Sequence, residues 1–220
     1  MRHTYDPWVH RTILQSLPDS SPVVEIGSGN ITLDDPNIIR LDVVLTPFCD
    51  IVADAHHMPF RDGSIDYVFS LAVFEHLRNP FEAAASIRRT LRPGGYVYHE
   101  CNFVFSYHGY PHHYFNASAQ GMSEVFREYH ELGQGVAPYQ MPSFALNMIL
   151  NGYLQHSRAD DFQHGRQVTT AIRRLLALGL TDYDLYFTED AAYNVAAGTW
   201  FAGRKVDACL LYTSPSPRDA

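Results

Sequence analysis

The sequence predicts an α/β fold: a mostly parallel sheet with helices on both faces. Three observations predict it. Short apolar runs that suit buried strands alternate with longer stretches of helical periodicity. The first run, Val23-Val24-Glu25-Ile26, ends in Gly27-Ser28-Gly29-Asn30, a turn where the backbone can approach a ligand without Cβ collisions. Glu25, Asp42, Asp54 and Ser70 all fall near predicted strand ends. Ligands in such sheets bind outside the carboxyl ends of the strands, where the strand order reverses.

The elements follow in order. Residues 8–17 carry apolar side chains at helical spacing, and Pro18-Asp19-Ser20-Ser21-Pro22 ends them. Strands are predicted over 23–26, 38–41 and 50–53, the last followed by the polar turn Asp54-Ala55-His56-His57. After the turn Arg61-Asp62-Gly63-Ser64 comes a strand over 65–70. Residues 81–91 form an amphipathic helix with Ala84, Ile87 and Leu91 on one stripe, stopped by Pro93-Gly94-Gly95. A strand follows over 96–100. Helices are predicted over 122–132, ended by Gly133, and over 143–150 and 167–178. Two final strands, 183–187 and 193–202, complete the chain, with an antiparallel pairing available to them. The stretch 102–141 is expected to be an insertion or lid on a single domain spanning 1–208.

At 220 residues the chain can bury a substantial core. Its net charge of −8 argues against nucleic-acid or anionic-membrane partners, which need a basic face. Cys49, Cys101 and Cys209 share no metal-ligand spacing and make no disulfide framework, which suits a reducing compartment. No signal-like apolar run opens the chain and no window reaches bilayer length, so a cytoplasmic location is expected. Residues 209–219, Cys-Leu-Leu-Tyr-Thr-Ser-Pro-Ser-Pro-Arg-Asp, resemble a translated sequencing adapter. The tail 209–220 is therefore expected to be an artefact, with the natural gene cut near Ala208.

The strand-end residues suggest a nucleoside-bearing ligand. Gly27 and Gly29 open a close approach, but the third glycine of the dinucleotide fingerprint is missing, since Asn30-Ile31-Thr32 follows. One carboxylate, Asp42, can accept both hydroxyls of a ribose; it would equally serve as a helix cap. Asp54 can accept from an adenine amino group beside the Ala55 backbone, or close an Asx-turn. Glu25 can orient the glycine amides or meet a cationic ligand end.

Taken in order, these motifs resemble a known family. Val23-Val24-Glu25-Ile26-Gly27-Ser28-Gly29 is similar to the first motif of class I S-adenosylmethionine-dependent methyltransferases. The stretch from Asp50 to Asp66 resembles their adenine-side motif and fourth strand. Phe74-Glu75-His76-Leu77 and Leu91-Arg92-Pro93-Gly94-Gly95 resemble the next two landmarks, and the match is to the small-molecule "type 11" group. The resemblance implies a Rossmann-like seven-stranded sheet of order 3-2-1-4-5-7-6 with the last strand antiparallel. It implies S-adenosyl-L-methionine as cofactor. Glu25, Gly27 and Gly29 would surround its methionine moiety, Asp42 its ribose, Asp54 and Ala55 its adenine, and Ser70 and Leu71 its methionine end. Two departures stand out. The link from Gly29 to Asp42 is too short for a full helix and reads as loop, and Asn30 replaces a frequent glycine.

On the acceptor side, Tyr107-His108-Gly109-Tyr110-Pro111-His112-His113-Tyr114-Phe115 follows the fifth strand. His108 is the first candidate for a general base, with His76 and His112 beside it, because an imidazole titrates near neutrality. A packed aromatic loop with hydrogen-bonded histidines would carry the same residues. No recognised zinc spacing is present, so no metal is expected. The cluster of His156, Asp160, Asp161 and His164 reads as a solvated loop. The sequence thus predicts methyl transfer to a small-molecule or saccharide-like acceptor. The alternatives are a non-catalytic ligand- or partner-binding protein on the same scaffold, and a dinucleotide oxidoreductase, which the missing glycine disfavours.

Overall fold

A computed structural model of the chain describes residues 9–30, 37–109, 111–157 and 164–206. The link 31–36, Asp160 and Asp161, and the adapter-like segment lie outside the described residues. Among the described residues no helix is long and apolar enough to cross a membrane.

Seven strands form one sheet: β1 Val23–Ile26, β2 Ile38–Asp42, β3 Ile51–Val52, β4 Ile65–Ser70, β5 Leu91–Asn102, β6 His130–Gly135 and β7 Gly198–Arg204. Their order is β3-β2-β1-β4-β5-β7-β6. The first five pair in parallel, whereas β7 runs antiparallel to both β5 and β6. This is the predicted Rossmann-like sheet. All four residues of β1 and all six of β4 are buried, as expected for strands covered on both faces.

Alternation along the central strands sorts side chains into two cores. Val24, Val68, Val97 and Phe201 face Ala83, Ala84 and Ile87 of α2 (Pro80–Thr90) and Met122 of α3 (Ala119–Val125). Val23, Ile38, Tyr67, Phe69 and Tyr98 face Ile13 of α1 (Val9–Ser16). His10 of α1 is buried among these rings, its Nδ1 2.8 Å from the Tyr67 hydroxyl, and burial pulls its pKa down to about 4. The start of α2 follows from local chemistry. Asn79 accepts from the Glu82 amide at 3.3 Å, and Pro80 takes the first helical position, where no N–H is needed.

The second half departs from the sequence reading. In place of a helix over 122–132, α3 ends at Val125 and His130–Gly135 forms the edge strand β6. Gly133 does not end a helix. With Gly135 it lies against the Trp200 indole of β7, and a Cβ at Gly135 would stand 2.7 Å from three indole atoms. The glycines make room for the ring that crosses the edge strand. In place of a strand over 183–187, Leu180–Tyr186 winds into 3₁₀ turns with Leu185 89% and Tyr186 83% exposed. Asp184 in that segment accepts the Ser143 amide and hydroxyl at 2.9 and 2.5 Å, capping α4 (Pro142–His156). After α5 (Gly165–Leu176), the strand predicted over 193–202 is split. Thr188 caps α6 (Glu189–Val195), and extended pairing begins only at Gly198.

Candidate functional site

The turn after β1 needs its glycines. Gly27 and Gly29 have φ of 72° and 54°, a region that L side chains resist. The Gly27 amide donates to the Leu41 carbonyl at 2.7 Å, and the Gly29 amide to Asp42 Oδ2 at 2.9 Å. Asp42 Oδ1 accepts from the Val44 amide at 3.0 Å, so one carboxylate ties the turn after β1 to the turn after β2. A Cβ at Gly27 would collide with the Val73 side chain. One at Gly29 would meet nothing within 4 Å.

That open space is a crevice of about 670 Å³ at the carboxyl ends of β1, β2 and β4. It lies where the strand order reverses, between β1 and β4, the expected ligand position in a doubly wound sheet. The size suits a small organic ligand. One wall is the glycine turn and Asp42; another is Asp54-Ala55-His56-His57; a third is Ala72, Val73 and His76, with Pro111, His112 and Tyr114 from the loop after β5. Asp54 Oδ1 accepts the His56 amide at 2.9 Å and lies 2.5 Å from His56 Nδ1. Burial alone would raise the Asp54 carboxyl. The bonds from His56, with the charges of His56 and His57, outweigh it and hold the pKa below the usual value.

Of the residues singled out in the sequence, Gly27, Gly29, Asp42, Asp54, Ala55, His76 and His112 line this crevice; Glu25, Ser70, Leu71 and His108 do not. Ser70 is fully buried in register with His99, its Oγ 2.7 Å from His99 Nδ1. Leu71 packs on the α1 side of the core. After β4 the chain turns at Ala72, a non-glycine residue with φ of 49°, and Ala72 and Val73 line the crevice where Ser70 and Leu71 were expected. Glu25 stays within β1, 6% exposed.

The loop after β5 is stitched to the loop after β4. The Tyr114 and Phe115 amides reach the Glu75 carbonyl at 2.8 and 3.3 Å, and His76 Nδ1 lies 2.5 Å from the His112 carbonyl oxygen. His108 sits one layer back, its Nδ1 3.1 Å from the Ser106 carbonyl oxygen and its ring 5.0 Å from that of His76. The His108 amide donates to His113 Nδ1 at 3.1 Å, and His113 Nε2 lies 2.6 Å from Asn116 Oδ1. Beneath them is a residue to which the sequence assigned no role. The Glu75 side chain is fully buried, its Oε1 accepting from the Asn102 side-chain Nδ2 and lying 3.8 Å from His108 Nε2. Burial pushes its carboxyl up to about 7, against hydrogen bonds that favour the ion. Burial likewise lowers the pKa of His76, helped by the charges of His108 and His113 and opposed by the His112 carbonyl. The available signal for Glu75 was a lone acid directly after the apolar run from Leu71 to Phe74.

Fold and crevice together define a doubly wound α/β protein with a ligand-sized crevice where its strand order reverses. Residues 31–99 match the family described as Methyltransferase domain. Over 110 residues the chain is 34% identical to the tRNA (carboxymethyluridine(34)-5-O)-methyltransferase ALKBH8 of Macaca fascicularis, covering 43% of this chain and 16% of that protein. The chain spans less than a sixth of the length of the curated relatives it matches. Among solved structures it is similar to the [4+2]-cyclase SpnF, with a TM-score of 0.53 and 16% identity over 93% of this chain and 83% of that one. It is also similar to the geranyl diphosphate C-methyltransferase of Streptomyces coelicolor A3(2), solved with geranyl diphosphate and S-adenosyl-L-homocysteine. There the TM-score is 0.51 at 9% identity, over 89% of this chain and 76% of that one. The family match thus falls on the part of the sheet that builds the crevice, and the solved structures share the fold of the chain.

Proposed function

We propose that this chain transfers a methyl group from S-adenosylmethionine to a small, hydroxyl-bearing acceptor of saccharide-like character. The observation that carries the reading is the crevice itself. It runs from two carboxylates, Asp42 and Asp54, past the glycine turn to His76, His112 and Tyr114. When bound, the cofactor supplies an activated sulfonium methyl group. The remaining work falls to the chain: alignment of the acceptor, exclusion of water and removal of a proton.

Asp42 keeps lone pairs beyond those used by the Gly29 and Val44 amides, and these accept the ribose hydroxyls. Asp54, held ionised, accepts from the adenine amino group, with Ala55 closing the floor. Gly27 and Gly29 leave room for the methionine portion, and Glu25 backs the turn from inside β1. On the acceptor side, Tyr114 offers an aromatic face and His112 an exposed imidazole. We assign the proton-accepting role to His112. The loop 102–118, carrying both residues, covers the acceptor as a lid.

The test is calorimetric titration with S-adenosylhomocysteine, followed by methyl-transfer assays with labelled S-adenosylmethionine across an acceptor panel that includes sugars. Saturable 1:1 binding and label transfer are expected. Absence of binding by a folded sample overturns the proposal, and binding without transfer reduces the chain to a ligand-binding scaffold.

A further inference from the structure

We propose that Glu75, His76 and His108 form a binding site for a first-row divalent transition-metal cation at the acceptor end of the crevice. As a cation site it stands apart from methyl transfer. Only its use, holding an acceptor oxygen at an open coordination position, rests on that reading.

The geometry comes first. One ligand atom from each of the three side chains lies within 4.8 Å of the others, and Glu75 Oε1 is 3.8 Å from His108 Nε2. An ion bonded at about 2.1 Å to nitrogen and oxygen keeps neighbouring ligands roughly 3–3.5 Å apart. Small side-chain rotations close the difference.

The tautomers agree. His76 Nδ1 faces the His112 carbonyl and His108 Nδ1 faces the Ser106 carbonyl. A carbonyl oxygen only accepts, so both rings carry their hydrogen on Nδ1 and the lone pair on Nε2. Metal-binding histidines are oriented in this way, with the other ring nitrogen donating to a carbonyl or carboxylate. His113 cannot join them. Its Nδ1 accepts from the His108 amide and its Nε2 donates to Asn116, so it buttresses His108.

A separate observation concerns Glu75. Its side chain is fully buried, and Oε1, the oxygen that faces His108 Nε2, shares the Asn102 side-chain amide with that ring nitrogen, a contact a bound ion would replace. A buried carboxylate is costly to keep ionised, and a cation beside it removes that cost. The donor set decides the class of ion. Two imidazoles and one carboxylate select zinc and its first-row neighbours, whereas magnesium and calcium prefer oxygen alone. Three protein ligands leave at least one position open, and His76 lines the crevice, so a water or acceptor oxygen can complete the shell.

The experiment uses the full chain stripped with chelator and titrated with Zn²⁺ by calorimetry, with Co²⁺ absorption read in parallel. One equivalent should bind at micromolar dissociation constant or tighter, and Co²⁺ should develop visible d–d bands. Glu75→Gln and His108→Gln should each weaken binding at least tenfold and abolish the bands, while His156→Gln, at an exposed position on α4, should change neither. If Glu75→Gln fails to fold by circular dichroism, the half-buried His76→Gln supplies the same readout. Failure of the folded wild-type chain to bind one equivalent overturns the proposal; so does equal binding by the ligand variants. Titration of the same sample with S-adenosylhomocysteine separates the two readings. Cofactor binding without metal binding removes the cation site alone, and metal binding without cofactor binding removes the methyl-transfer reading alone.

Discussion

Gly27→Ala tests how the crevice is built. Two separate costs fall on this one methyl group. The backbone at Gly27 has φ of 72°, where an L residue loses about 1–2 kcal/mol. The new Cβ also collides with the Val73 side chain, and relief of such overpacking costs about 1–3 kcal/mol. A combined loss of about 2–5 kcal/mol lowers the melting temperature of a domain this size by about 4–20 °C. Urea unfolding gives the free energy, and titration with S-adenosylhomocysteine gives the effect on the crevice, which should weaken as Val73 is pushed into it. Val73→Ala removes the colliding methyl but leaves the backbone cost. The double variant should therefore be more stable than the sum of the singles by about 1 kcal/mol or more. A Gly27→Ala protein within 1 kcal/mol of wild type, or strict additivity with Val73→Ala, would refute the packing described for this turn.

Two further outcomes follow from the same structure. Asp42→Asn keeps a hydrogen-bond acceptor for the glycine turn but removes the charge, so cofactor affinity should fall about tenfold or more while stability changes less; an unchanged titration curve would place the ribose elsewhere. Acid should destabilise the fold through its buried histidines. Burial lowers His10 to about 4 and His99 to about 3, so between those values and 6.5 the unfolded chain binds protons that the folded chain refuses. Stability then falls with falling pH, by about 2 kcal/mol per histidine between pH 7 and pH 5. Denaturant unfolding at the two pH values measures this, and His10→Asn should remove about half of the histidine-dependent loss; a pH-independent midpoint would refute it.

The first half of the fold was legible in the chain. β1 and β4 are short apolar runs buried on both faces, and α2 announces itself by a stripe of Ala84 and Ile87, although its start at Asn79 and Pro80 was not read. The second half was not. β6 reads His-Glu-Leu-Gly-Gln-Gly, without apolar alternation, because it lies at the sheet edge and gives its inner surface to Trp200. Conversely, Tyr183-Asp184-Leu185-Tyr186 alternates like a strand yet finds no partner, and its task is to cap α4 through Asp184.

The sequence by itself determined the glycine turn and the carboxylates at the ends of β2 and β3, since each rests on local geometry; the order of the parallel strands came only with the family resemblance. The tertiary structure alone decided which side chains face the crevice. Ser70 turns inward to His99 because sheet register holds it there, and Ala72 and Val73 take its place. It also decided that Glu75 and His108, 33 residues apart, meet beside His76. No local pattern records that meeting, because it depends on two loops from different strands being pinned together through the Glu75 carbonyl.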